Sequence, residues 1–310
     1  MPRQIELLDL PSLYRMRNDA VALDTTRLLT RGNPIGAVGL LTYLNPSRHI
    51  YSAVSNGGTT LFGGVIHTNG GICARLLYLA PAAALDHPAL PALLEHLSVE
   101  AVGWGAFHVL AEVDERSDAY RALRMSGFSV YAWQRIWDVS ALVHPGNGSK
   151  WRRSADADLA SMQSLHHQIV PGLLHPIEQP PQQADGLICC EDGMRGYVEL
   201  SQGQAGIVLM PYIHPDSAQV AEKLAALPGD LPDRRRRSVY LCVRSYQAWL
   251  EPVLEDLGAL PGNRQAVMVK HLARLVADEQ AVKAAQPVAV SVQATRVSHM
   301  HDKDDHSGLP

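Results

Sequence analysis

Residues 50–81 read IYSAVSNGGTTLFGGVIHTNGGICARLLYLAP, and their apolar runs and glycine pairs decide the fold. Residues 50–55, 60–67 and 72–79 are three apolar stretches, separated by Asn56-Gly57-Gly58 and Asn69-Gly70-Gly71. Asn-Gly between apolar runs supplies the positive φ of a tight hairpin turn, so the spacing predicts an antiparallel three-stranded meander. Pro81 ends the third strand, because it brings no N–H to a ladder.

Upstream, residues 5–8 read as a short strand and Asp9 as the N-cap of a helix with Pro11 in its first turn. A long connection containing Gly32, Pro34 and Pro46 leads to the meander. Downstream, Leu90, Leu93, Leu94 and Leu97 share one helical face over residues 88–99. Residues 107–113 read as a strand, 118–125 as a helix stopped by Gly127, and 129–139 as a closing strand. His144-Pro145-Gly146-Asn147-Gly148-Ser149 has no apolar content and reads as a linker.

The same order then returns. Residues 151–153 read as the short strand, Asp156 or Asp158 as the cap, and 159–170 as the helix. A connection with Pro171, Pro176, Pro180 and Pro181 leads to strands at 186–190, 195–200 and 206–213, with turns at Glu191-Asp192-Gly193 and Ser201-Gln202-Gly203. The third strand again runs into a proline, Pro215. A helix at 218–226, a strand at 238–243, a helix at 247–257 ended by Gly258, and a strand at 265–272 complete the repeat. The expected class is α/β (α+β): two tandem domains, 1–143 and 150–275, joined by a linker at 144–149. Each is a mixed, mostly antiparallel sheet flanked by helices. Residues 276–310 form a C-terminal extension, partly disordered, with one further edge strand possible at 287–297. Cutting at the linker is expected to leave two pieces that each fold.

Composition narrows the function. A net charge of −4 argues against a general nucleic-acid binder, and no apolar run reaches the ~18 residues that span a bilayer. The start MPRQIELLDL lacks a signal-peptide pattern. Cys73, Cys189, Cys190 and Cys242 lie outside any metal or disulfide spacing, so the expected location is cytoplasmic. Arg234, Arg235, Arg236 and Arg237 read as a solvated loop, or as a docking point for phosphate or an acidic partner. His166, His167 and His175 read as exposed rather than as a site, since adjacent helix residues do not share a face. No metal site is expected; the histidines and aspartates of residues 299–306 would hold a divalent ion only weakly.

The recurring order of elements resembles the GNAT superfamily of N-acetyltransferases, over about residues 3–140 and again 150–273. The best local match is VDERSDAYRALRMSGF from Val113 to Phe128, with Ala119 where the family packs a small residue eight before Gly-Phe. VRSYQAWLEPVLEDLG from Val243 is looser, and His214-Pro215-Asp216 looks like the family's end of the fourth strand. The resemblance implies a gap between the splayed fourth and fifth strands that holds the pantetheine arm of acetyl-coenzyme A. It also implies a glycine loop for the pyrophosphate, a tyrosine as general acid, and an amine, on a small molecule or a protein, as acceptor.

Both halves depart from this pattern. The loop after Pro81 places Ala84 and His87 where a basic or amide residue and the first glycine belong, and Asp86 and Pro88 add a charge and remove a donor. The loop after Pro215 has no glycine through Lys223. The tyrosine position is Leu123 in one half and Leu254 in the other, and Tyr120 and Tyr246 lie elsewhere. Asp114 and Glu115 serve as helix starters or as a base. Any acetyl-coenzyme A is expected on the strand backbone at Leu79, Ala80, Ile213 and His214, with no catalytic residue assigned. The reading is a non-catalytic ligand-binding or interaction protein with a degenerate active site. The alternative is an acyl-coenzyme A-dependent N-acetyltransferase acting through one unconventional half.

Overall fold

In the computed structural model, which describes residues 1–36, 48–68, 71–143, 150–189 and 195–272, β1 (Pro2–Gln4) precedes the apolar residues that suggested a strand. Leu7 and Leu8 instead lie in a 3-10 turn and are exposed. Asp9 causes this: its carboxylate accepts the Glu6 N–H at 2.9 Å and two Arg3 donors at 2.7 and 3.0 Å, folding the chain back. α1 (Leu10–Arg15) follows. The long connection then holds two elements that its polar punctuation hid, β2 (Val21–Ala22) and α2 (Thr25–Arg31). The Asp24 side chain caps α2 on the Arg27 N–H at 3.0 Å, and Gly32 ends it at φ +85°.

The meander forms where the glycines place it: β3 (Arg48–Gly57), β4 (Thr59–Thr68) and β5 (Cys73–Ala80) pair antiparallel in sequence order. α3 (Leu90–Gly103) buries its four-leucine face, and β6 (His108–Asp114), α4 (Asp118–Met125) and β7 (Ser129–Asp138) follow. Gly127, at φ +88°, lets the Phe128 N–H reach back to the Leu123 carbonyl at 3.1 Å, which closes α4. The second half comprises β8 (Trp151–Arg153), α5 (Leu159–Ile169), β9 (Gly186–Cys189), β10 (Gly196–Gln202), β11 (Gly206–Ile213), α6 (Val220–Asp230), β12 (Ser238–Arg244), α7 (Leu250–Asp256) and β13 (Leu260–His271). Single contacts repeat as well. Arg152 forks onto Asp158 at 2.9 and 2.9 Å, and Asp158 accepts the Ala155 N–H at 2.8 Å, as Arg3, Asp9 and Glu6 do. The expectations for Asn69, Gly70, residues 144–149, Cys190, residues 191–193 and residues 276–310 fall outside the described residues.

The two halves do not close separately. One sheet runs β1-β3-β4-β5-β6-β13-β7-β12-β11-β10-β9-β8, with β2 on β5. β13, last in the chain, inserts between β6 and β7 of the first half, while β7 pairs with β12 of the second. Each half thus lends its final strand to the other. Ala266 and Met268 of β13 lie in the core under α3 and α4, and Trp137 of β7 lies in the core under α6 and α7. Burying a side chain of that size contributes about 2–3 kcal/mol, so either half alone would lose core as well as ladder. Residues Met1–Ala273 accordingly form one compact unit.

Alternation along the strands sets the second face. Val54, Phe62 and Ile66 pack with Leu13 of α1, and Ile188, Tyr197 and Tyr212 pack with Met162 and Leu165 of α5. Between these two smaller cores, over the centre of the sheet, the face is polar.

Candidate functional site

The gap expected between splayed strands exists in both halves. In the first, Cys73, Ala74 and Arg75 of β5 pair with His108, Val109 and Leu110 of β6, and the parallel ladder then stops. The chain's own backbone enters the opening. The Leu23 N–H donates to the Leu77 carbonyl of β5 at 3.0 Å, and the Glu112 N–H of β6 donates to the Leu23 carbonyl at 2.8 Å. Val21 stands in register with Leu79, and the Ala82 N–H donates to the Asp19 carbonyl at 2.9 Å. Leu79 therefore sits between Gly63 of β4 and Val21 of β2, and Ala80 is buried opposite Phe62.

In the second half, β11 and β12 pair from Gly206 with Ser238 to Leu209 with Leu241 and then part. Here a side chain enters. Gln247, 1% exposed, accepts the Ile213 N–H on Oε1 at 3.0 Å and donates Nε2 to the Pro211 carbonyl at 2.5 Å. One carboxamide offers the donor and acceptor that a neighbouring peptide would offer. The His214 N–H donates to the Arg195 carbonyl at 2.8 Å, within the ladder to β10. After β5, a cavity of about 470 Å³ is lined by Asp86, His87, Pro88, Asp118 and Arg121. His87 turns its Nδ1 back onto the Ala89 N–H at 3.2 Å, so that donor is also engaged.

A cavity of about 600 Å³ lies on the polar centre of the second face, bounded by β5, β6 and α2 of the first half and by β10, β11 and residues 177–179 of the second. A chain of charges runs under it. Glu112, 2% exposed, receives Arg75 Nη1 at 3.3 Å, lies 3.9 Å from Arg244 Nη2, and accepts the Thr25 N–H at 2.9 Å. Arg244 Nε stands 3.3 Å from Glu178 Oε1, off hydrogen-bond angle, and Glu178 Oε2 accepts the Tyr246 hydroxyl at 2.5 Å. Gln134 accepts from Arg244 and donates to Gln265 at 2.7 Å. Burial alone would raise the Glu112 carboxyl, but the two guanidinium groups outweigh it and hold it below the usual range. Asp24 and Glu199 also line the cavity; for the buried Asp24, desolvation wins and the carboxyl is raised. Burial likewise lifts the Cys73 thiol to about 11, so it is not a thiolate nucleophile.

Other sequence candidates find structural places. Asp114 binds the Arg116 N–H at 2.8 Å and Asn263 at 2.6 Å, and Glu115 lies 3.4 Å from Arg264. Tyr120 packs on Trp133 with centroids 6.2 Å apart. In the arginine run, Arg234 donates to the Ser140 carbonyl at 2.7 Å and Arg237 to the Gly203 and Asp233 carbonyls at 2.8 and 2.6 Å, so these two tie down a loop. His166 departs from expectation. It is 1% exposed, packs 5.2 Å from the Tyr212 ring, and has no hydrogen-bond partner at either nitrogen among the described residues. Burial depresses it to about 4 and keeps it neutral. Among the described residues no group of His, Cys, Asp and Glu is arranged to hold a metal ion, and no helix is long and apolar enough to cross a membrane. Sequence reasoning missed Arg75, Glu112, Glu199 and Arg244. Each is a charge inside an otherwise apolar strand, and that anomaly was their available signal.

No family model and no curated protein matches this chain. Solved structures do. A GCN5-related N-acetyltransferase from Sphaerobacter thermophilus aligns with a TM-score of 0.55 at 12% identity, covering 87% of this chain and 95% of that one. A tandem GNAT protein from the clavulanic acid biosynthesis pathway, solved without acetyl-coenzyme A, aligns with a TM-score of 0.51 at 14% identity, covering 88% and 99%. The chain has the GNAT fold in two tandem copies.

Proposed function

We propose that this chain is a binding protein on the GNAT fold that holds a small polar ligand in the central cavity and transfers no acyl group. The observation carrying this reading is the state of the two strand gaps. A pantetheine arm needs free backbone donors and acceptors along the splayed strand, and here β2 and Gln247 already bond those edges. The pyrophosphate loops support it too, because converging N–H groups need glycine, and Asp86, Pro88 and Glu222 stand instead. The reading keeps the repeat boundaries of 1–143 and 150–275, and a reducing cytoplasm in which Cys73, Cys189 and Cys242 are free thiols.

Calorimetric titration with acetyl-coenzyme A tests it. Affinity no tighter than about millimolar is expected, and low-micromolar binding would overturn it. One observation favours the acyltransferase alternative: the cavity beside residues 82–89 carries Arg121, a guanidinium within reach of a phosphate there. Under that alternative, micromolar binding would be lost on Arg121→Ala.

A further inference from the structure

Within the central cavity the charges do not balance locally. Arg244 and Arg75 share Glu112, and Glu178 completes the set around Arg244. Beyond that network Arg75 offsets the charge of Asp24 and Glu199 in part, and all three keep hydrogen-bonding capacity toward the cavity. Among the described residues Arg75 hydrogen-bonds through Nη1 alone, and its side chain is 39% exposed at the cavity wall. Asp24 is 3% exposed; its Oδ1 caps α2, but Oδ2 is buried without a hydrogen-bond partner among the described residues. Glu199, on β10 of the other half, has no ion pair or hydrogen bond among the described residues. A buried carboxylate oxygen without a donor, as at Asp24 Oδ2, costs about 1–3 kcal/mol or more, and with the exposed Glu199 carboxylate facing the same space that deficit is left for a ligand to fill.

A simple cation would satisfy Asp24 and Glu199 and leave the spare donors of Arg75 unused. A simple anion would do the reverse and face two carboxylates. We propose that the cavity binds a small zwitterion, with its carboxylate on the open side of Arg75 and its ammonium between Glu199 and Asp24. Such a ligand joins β5 of the first half to β10 of the second. Its bonds to all three groups would be charge-assisted. The cavity volume, about 600 Å³, falls in the usual range for small-molecule sites. This inference rests on the reading of the cavity as the ligand site.

The test uses the full chain in thermal-shift and calorimetric titrations with free lysine, arginine, glutamate and glutamine. Each is paired with its N-acetyl form, which lacks the ammonium, and its amide, which lacks the carboxylate. At least one free amino acid is expected to bind, and its capped forms to bind about tenfold more weakly or not at all. Glu199→Gln, an isosteric change at an open position, should leave the melting temperature of the unliganded protein unchanged and weaken the free amino acid about tenfold. Arg75→Lys, which keeps the charge and loses the fork, should weaken it similarly. The inference is overturned if no free amino acid binds, if the capped forms bind equally well, or if Glu199→Gln makes no difference. Acetyl-coenzyme A in the same series decides the preceding proposal separately, since its tight binding would sink that proposal while the capped-pair comparison still decides this one.

Discussion

The two halves close the same gap by different means. In the first, β2 lays backbone between β5 and β6; in the second, a single carboxamide from the turn after β12 bridges Pro211 and Ile213. A backbone insert is anchored at both ends, by α1 before it and the Asp24-capped α2 after it, so no single side chain controls it. A side-chain insert depends on one residue. The repeat has conserved the requirement that the edge be satisfied while letting the atoms that satisfy it change.

The largest effect should come from separating the halves. Expressed alone, residues 1–143 lack β13 and residues 150–275 lack β7, and each is expected to show no cooperative thermal transition, whereas mixing the two restores one. A cooperative melt from either piece alone would show that the strand exchange is dispensable. Next comes the backbone insert. Leu23→Pro removes the N–H that bonds Leu77 and deletes a fully buried side chain, for an expected loss of about 3–5 kcal/mol by urea unfolding. Gln247→Ala should cost less, about 2–4 kcal/mol, by leaving the Ile213 N–H and the Pro211 carbonyl without partners. If Gln247→Ala proved neutral, the second gap would not depend on that amide, and the contrast between the halves would fail.

What the sequence made legible was local. Asn56-Gly57 marks a hairpin because φ beyond +20° is needed at that spot, and Gly58 takes φ +93°. Gly127 and Gly258 mark helix ends for the same reason, at +88° and +81°. The hidden features were all non-local. β2 has two residues and exists only because β5 splays beside it, and nothing in Val21-Ala22-Leu23 announces that partner. The exchange of β7 and β13 leaves their alternation unchanged, since either neighbour would satisfy it. His166 and His167 look equivalent in sequence, yet one helical step turns the first into the core and the second outward. For the cavity, the charges inside apolar strands were visible, but their convergence was not.

His166 gives the smallest expected effect, and it distinguishes the second half alone. Glu178, His175, His167 and Tyr212 face it, and burial holds its folded pKa near 4 against an ordinary 6.5. The unfolded chain takes up a proton that the fold refuses. This group's contribution is therefore complete above about pH 6.5, declines as pH falls toward 4, and changes no further below that. At most it costs about 3 kcal/mol. His166→Phe should flatten that part of the stability profile and leave neutral-pH stability nearly unchanged; an unaltered profile would mean that the ring is not what titrates.

The central claim, that both gaps are filled by the chain itself, is tested most directly by native-state hydrogen exchange read at single amides. The N–H groups of Leu23, Glu112 and Ile213 should be as protected as those of the central strands, and millimolar acetyl-coenzyme A should not change them. Rapid exchange at these three amides that slows when acetyl-coenzyme A is added would contradict the account, because it would mean that the gaps stand open and the cofactor fills them.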